Sequence, residues 1–325
     1  MRRLFLLFVF ACLPATLCGC IDLAPLVAGQ MNEVVVEESP RFLEINKIAL
    51  IDVDGVITAS PSVWMPRSGA AVADVREKLK RAAEDRRVVA VVLRINSPGG
   101  EVTASDMIHQ DILRFKKETG RPVVAMLMGL ATSGGYYIAT AADVIVASPT
   151  TVTGSVGVIM QFVSVEDLFD KIGVEAEVVK SGAMKDIASP LRRMTAEERR
   201  ILRGINESMF ERFIAVVHES RPVTEADLQT IRDGRILSAD QAVALHLADR
   251  TGYLDDALRI ARIRAGVGGA DVVLYRPFPH YNANIYASAF PARGGVLEHA
   301  LELLLKQQGA AFLYLWEPGL ANVGP

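Results

Sequence analysis

Apolar positions along the chain repeat in two rhythms. Residues 48–53 form a short apolar run closed by Asp54-Gly55, and residues 88–95 form a nearly continuous run rich in valine. Runs of this kind predict strands, and the unbroken one predicts a strand buried on both faces. Between them Val72, Val75, Leu79, Ala82 and Ala83 recur at helical spacing, which predicts a helix over 71–83. The cycle then continues with a helix over 103–117, a strand over 122–128, a helix over 134–142 and a strand over 144–147. Such alternation predicts a layered α/β fold on a mostly parallel sheet.

Beyond residue 195 the pattern is helical as far as 265. Thr195 with Glu198 is a capping box, and Ile201, Leu202, Ile205, Met209, Phe213, Val216 and Val217 then give a long apolar stripe for core or subunit packing. Ser238 caps a further helix over 239–247. Residues 268–325 carry Pro277, Pro279, Pro291 and Pro318 and one helical stretch over 296–307. No tandem repeat or low-complexity tract is present.

The N-terminus has a different character. Arg2 and Arg3 precede an apolar stretch over 4–13, and the segment ends Leu17-Cys18-Gly19-Cys20. This is the layout of an export leader, too short and too interrupted by Pro14 for a spanning helix of about 20 residues. The ending is similar to a bacterial lipobox, in which Cys20 is lipidated; an ordinary cleaved signal or a short anchor is the other reading. All three cysteines lie in this leader, which leaves no disulfide framework, thiol nucleophile or cysteine metal site. The expected organisation is a leader over 1–20, an acidic tether over 21–46, a folded body over 47–267 and a C-terminal extension over 268–325. Export with attachment to a membrane's outer face follows from the leader.

Composition narrows the function. The chain has 325 residues, half of them hydrophobic, enough for a sizeable core. A net charge of -3 lacks the basic footprint of a nucleic-acid binder.

Two glycine-rich turns follow apolar strands: Asn96-Ser97-Pro98-Gly99-Gly100 and Ala131-Thr132-Ser133-Gly134-Gly135-Tyr136-Tyr137. The second places Ser133 between a strand and a helix, where free N–H groups favour an anion. Taken alone, a serine there reads as a helix cap. Gly100 on the neighbouring strand end and Gly134 are candidate paired amide donors, the layout of an oxyanion hole. A nucleophilic serine needs a base. None of His109, His218, His246, His280 and His299 lies in a glycine turn or a motif-like setting with a carboxylate, and no HExxH occurs. Most lysines fall in charged helical stretches. Lys185 differs, lying in Ser181-Gly182-Ala183-Met184-Lys185-Asp186 among small and apolar residues.

With these pieces in view the chain resembles the S49 family of bacterial signal peptide peptidases, the SppA type. The resemblance rests on the two glycine turns, on Thr153-Gly154-Ser155-Val156-Gly157-Val158, on Ser181-Gly182 with Lys185-Asp186, and on the later Gly234-Arg235 and residues 242–249. It covers about 47–265. The first turn also occurs in Clp-type proteases and crotonases; the pieces in this order are specific to S49. The resemblance implies a Clp/crotonase-type fold of repeated ββα units with a helical C-terminal part. It implies Ser133 as nucleophile, Lys185 as general base, Gly100 and Gly134 as oxyanion donors, and no cofactor or metal. It also implies a homo-oligomeric ring in which the serine of one subunit meets the lysine of the next, acting on signal peptides and other short or unfolded segments. A crotonase-type acyl-CoA enzyme, an inactive scaffold and a phage-type maturation protease are the alternatives. The leader counts against the first and last, and the intact Ser133 and Lys185 count against the scaffold.

Overall fold

The computed structural model describes residues 31–39, 45–59, 72–277 and 313–315. The centre is a nine-stranded sheet. Its main path runs β1 (Met31–Glu37), β10 (Asp271–Pro277), β2 (Lys47–Asp54), β3 (Val88–Ser97), β5 (Val123–Thr132), β6 (Val144–Ala147), β9 (Arg250–Thr251). From β10 to β9 every pairing on this path is parallel; β1 alone runs antiparallel, at the edge.

The unbroken apolar runs have a simple cause: both sheet faces are covered. Successive residues point to opposite faces of a strand. Ala49, Ile51 and Val53 of β2, with Val91, Leu93 and Ile95 of β3, join one core. That core is closed by α1 (Val72–Glu84), α2 (Val102–Thr119), α3 (Gly134–Ala139) and the second half of α5 (Ala196–Ser220). Ile48, Leu50, Ala90 and Val92 face the other way, onto α8 (Leu254–Arg264) through Leu254, Ala257, Leu258 and Ala261.

Strand β5 serves two partners in succession. Val124–Leu127 pair with β6, and Leu130–Thr132 pair with β7 (Val152–Gly154), itself antiparallel to β8 (Ile236–Ser238). The second pairing carries β5 past the expected end at 128 to Thr132 and lifts the following residue off the sheet end. Helix α3 stops at Ala139 rather than 142 because the next amides bond three residues back, Ala141 N to Ile138 O at 3.2 Å and Ala142 N to Ala139 O at 3.0 Å. The helix expected over 239–247 ends at Ala244, and His246 turns the chain with φ 59°. Both capping serine/threonine readings correspond to formed boxes: Thr195 accepts from Glu198 N, and Ser238 accepts from Gln241 N.

The expected boundaries at 47 and 267 are not where the sheet begins and ends. Met31–Glu37, placed in the tether, pairs with β10, and β10, placed in the C-terminal extension, lies between β1 and β2. Lys47 helps fasten this edge, ion-paired to Glu33 and, at 2.9 Å, to Asp85. The leader, Cys20 and the helix expected over 296–307 lie outside the described residues. Among the described residues no helix is long and apolar enough to cross a membrane.

Candidate active site

The site lies at the C-terminal ends of β3 and β5, the usual ligand position in a parallel sheet. After β3, Ser97 braces the first glycine turn: its hydroxyl donates to Gly55 O at 2.6 Å and accepts from Gly99 N at 3.0 Å. Gly99 has φ 101°, which L side chains rarely adopt, and leads into the short strand β4 (Gly99–Glu101). One edge of β4 is used by Ile57, whose N donates to Gly99 O and whose carbonyl accepts from Glu101 N, both at 2.9 Å. Amide and carbonyl directions alternate along a strand, so the Gly100 N–H points to the opposite edge.

Ser133 opens α3 immediately after β5. It is 1% exposed, and its backbone sits at φ 52°, ψ -115°, a sparsely populated region for a non-glycine residue. Two backbone bonds hold it there: Ser133 N to Gly154 O and Tyr137 N to Ser133 O, each 2.8 Å. Its side chain makes no capping hydrogen bond, which removes the ordinary structural reason for a serine at this joint. Gly134 is the first residue of the helix, so its amide has no partner within it.

The two proposed oxyanion amides are neighbours. A Cβ on Gly99 would lie 2.8 Å from Gly134 N, and one on Gly134 would lie 3.3 Å from Gly100 N. Neither turn has room for a side chain. A Cβ on Gly100 would overlap the Ile57 carbonyl and stand 2.5 Å from Ile57 N; one on Gly134 would overlap Ser105 Oγ. Gly100→Ala must therefore displace backbone. It is expected to lower kcat by at least the 10²–10³ typical of one lost oxyanion donor, with KM little changed, measured on an unfolded protein substrate.

The third motif explains itself as packing around Ser133. Gly154 accepts from the Ser133 amide, has φ 80°, and faces Arg235 O, which lies 2.9 Å from any Cβ placed there. Ser155 N donates to that same Arg235 carbonyl at 2.8 Å. The Gly234-Arg235 pair thus backs the strand on which Ser133 leans.

Lys185 is placed elsewhere. It lies on an exposed turn, Lys185 N bonding to Gly182 O at 3.1 Å, and no hydrogen bond joins its side chain to Ser133. The turn is tethered through its neighbour Asp186. Arg192 and Lys180 pair with that carboxylate at 2.8 and 2.6 Å, and these hydrogen bonds hold it far below the ordinary carboxylate range. Arg192 also grips Glu198 in the first turn of α5.

Beside Ser133, Tyr137 donates to Asp106 at 2.6 Å, and Arg212 pairs with the same oxygen at 2.6 Å. His109 packs edge-on to Tyr137 with ring centroids 5.1 Å apart. His109 is 4% exposed and neither ring nitrogen has a hydrogen-bond partner. Burial pulls its pKa down to about 4 from 6.5, so the folded chain holds it neutral. Its unfolded form binds the proton first on acidification. Stability from this group is therefore complete above about pH 6.5 and is lost as pH falls towards 4, by about 3 kcal/mol in all. His109→Gln should flatten the unfolding free energy over that window, read by urea titration at pH 7 and pH 4.5. Among the described residues no group of His, Cys, Asp and Glu is arranged to hold a metal.

Comparison with known proteins gives this geometry a family. The model of peptidase family S49 matches residues 115–268, and that of the Clp protease matches residues 69–153. A protein of Enterococcus faecium named "Putative signal peptide peptidase SppA" is 33% identical over 246 residues, 75% of this chain and 71% of its own length. The chain belongs to peptidase family S49. Protease 4 of Salmonella typhi is 37% identical over 181 residues, 56% of this chain and 29% of its own length. The chloroplastic serine protease SPPA of Arabidopsis thaliana is 30% identical over 224 residues, 68% of this chain and 33% of its own length. The S49 assignment makes the chain a protease of Clp/crotonase-type fold, and the nine-stranded sheet with helices on both faces agrees with it.

One neighbour of the site has no counterpart in the sequence reading. The strand β11 (Leu313–Leu315) lies antiparallel on β4, with Tyr314 opposite Gly100. A three-residue Leu-Tyr-Leu stretch carries no periodicity, so nothing local marks it.

Proposed function

We propose that the chain is a serine endopeptidase that hydrolyses signal peptides and other short or unfolded segments through a Ser133–Lys185 dyad shared between neighbouring copies. The observation that carries this is the state of Ser133: buried, strained, without a capping bond, and next to the amides of Gly100 and Gly134. Oγ attacks the scissile carbonyl as Lys185 takes its proton, and the two amides receive the oxyanion. Lys185 then protonates the leaving amine, and water reverses the sequence to release the acid.

Sharing the dyad accounts for a buried serine and an exposed lysine on one chain. The stretch around Lys185 also shows Phe162, Val163, Leu168, Ile172 and Val179 to solvent, and Ile205 of α5 is 39% exposed. Apolar surface of this extent fits a second copy, and a head-to-tail contact repeated around a closed ring brings each Lys185 to the next Ser133. The leader would export the chain, with a lipid on Cys20 holding it at the outer face of a membrane.

Casein hydrolysis by the purified full chain in mild detergent tests the activity, with a synthetic signal peptide as second substrate. Hydrolysis that Ser133→Ala removes supports the reading; hydrolysis that survives it overturns the assignment. Incorporation of labelled palmitate that Cys20→Ser abolishes is the expected result for the anchor.

A further inference from the structure

Two consecutive side chains at the end of β3 reach opposite faces of the sheet, as strand alternation requires. Asn96 is exposed and Ser97 is fully buried. Ser97 joins the two segments that carry the oxyanion amides. Its hydroxyl donates to Gly55 O at 2.6 Å and accepts from Gly99 N at 3.0 Å, one residue before Gly100. Gly55 is itself fastened to β3, its N donating to Asn96 O at 3.0 Å. On its other side Ser97 meets α3. A Cβ on Gly135 would lie 3.0 Å from Ser97 O and 3.3 Å from Ser97 Cβ. One residue thus spans the gap between the glycine turn and the first turn of α3.

Asn96 holds the other half of the site. Along the β3–β5 ladder Ile95 lies opposite Leu127 and Ser97 opposite Ala131, so β3 advances two residues there while β5 advances four. This bulge takes the Leu130 amide out of the ladder, and the Asn96 side chain answers it: Leu130 N donates to Asn96 Oδ1 at 3.2 Å. Asn96 Nδ2 donates in turn to Asp54 Oδ1 at 3.0 Å, which fixes the orientation of the side-chain amide. At Leu130 β5 begins to pair with β7, three residues before Ser133. Bulges beside active sites re-aim the residues that follow them.

We propose that Asn96 and Ser97 are positioning residues for the proposed hydrolysis: Ser97 sets the distance between the Gly100 and Gly134 amides, and Asn96 sets where the β5 bulge delivers Ser133 beside them. This rests on the reading of Ser133 as nucleophile and of the two amides as its oxyanion donors. Both side chains act through backbone that other residues carry, not on the substrate. Preorganised donors stabilise charge only when they meet the oxygen where it develops. A misplacement of about 1 Å costs about 10²-fold in rate. Ground-state binding of the peptide does not depend on that placement, so the loss falls on kcat.

The test uses the full-length chain, a fluorogenic casein peptide and a peptide boronate, whose tetrahedral adduct on a serine places an oxygen between the amides. Ser97→Ala and Asn96→Ala are each expected to lower kcat about 10²-fold, with KM within about twofold of the parent. Boronate affinity should fall by the same factor as kcat. Coupling to Gly100→Ala is the second readout. With the Gly100 amide already displaced, Ser97→Ala should cost no more than about twofold, whereas Asn96→Ala should still cost its full factor. Ser97→Cys keeps the volume and gives Gly99 N only a weak acceptor, so it serves if alanine unfolds the chain. Rates are taken per site that reacts with a fluorophosphonate, so a loss from unfolded chain alone disappears from them. Three results would overturn this inference and leave the nucleophile standing, each with Ser133-dependent hydrolysis intact: unchanged kcat in the folded variants, a rise in KM in place of a fall in kcat, or losses from Ser97→Ala and Gly100→Ala that simply multiply. Absence of Ser133-dependent hydrolysis from the parent would overturn both.

Discussion

Ser133→Ala is expected to remove peptide hydrolysis while leaving the fold untouched. The magnitude follows from the unit nature of such sites: removing a serine nucleophile typically costs about 10⁶ in kcat, with the residual rate coming from the oxyanion donors and binding. The fold should tolerate it because the Ser133 side chain makes no capping bond, and the strained backbone is held by the Gly154 carbonyl and the Tyr137 amide. A single-oxygen deletion leaves both contacts in place. Thermal unfolding of the variant should superimpose on that of the parent, and casein hydrolysis should fall to background. A variant that is folded and still active would remove Ser133 from the mechanism.

Lys185→Ala should cost less, though still several orders of magnitude, and for a different physical reason. A general base contributes typically 10²–10⁴, and a serine hydroxyl without one is a weak nucleophile. The loss should therefore approach 10⁴ in kcat on the same substrate. Stability should hardly change, because Lys185 is exposed and the turn is tied down by Asp186 and Arg192 rather than by the lysine. Arg192→Ala gives a useful contrast. It frees the turn from α5 and releases Glu198, so it should lower both stability and activity, whereas Lys185→Ala lowers activity alone. Activity retained in full by Lys185→Ala would assign the base elsewhere.

The sequence made some of this legible and hid the rest for identifiable reasons. Strands buried on both faces announce themselves as unbroken apolar runs, so β2, β3, β5 and β6 were readable to within a few residues. Ser133 taken alone reads as a helix cap, and it became a candidate nucleophile through the second glycine turn beside it and the resemblance to S49 chains. Lys185 carried a weaker local signal, small and apolar neighbours, and became specific only through its resemblance to S49 chains. β1 was missed because its valine run is bracketed by Glu33 and Glu37, which an edge strand tolerates and which read as tether. β10 was missed because parallel neighbours in a sheet need no nearness in sequence. Tyr314 was missed because its three-residue strand has no period, and its meaning comes wholly from what it lies against.

The shared dyad makes a claim that no single variant can test. Ser133→Ala supplies a competent Lys185, and Lys185→Ala supplies a competent Ser133. The two dead chains should be co-expressed, purified as one oligomer and assayed on casein. In a ring where each serine meets the next subunit's lysine, random assembly leaves about a quarter of the sites intact, so about a quarter of parent activity should return. A mixed oligomer of parental size that stays at background would contradict the account and place both residues of each working site on one chain.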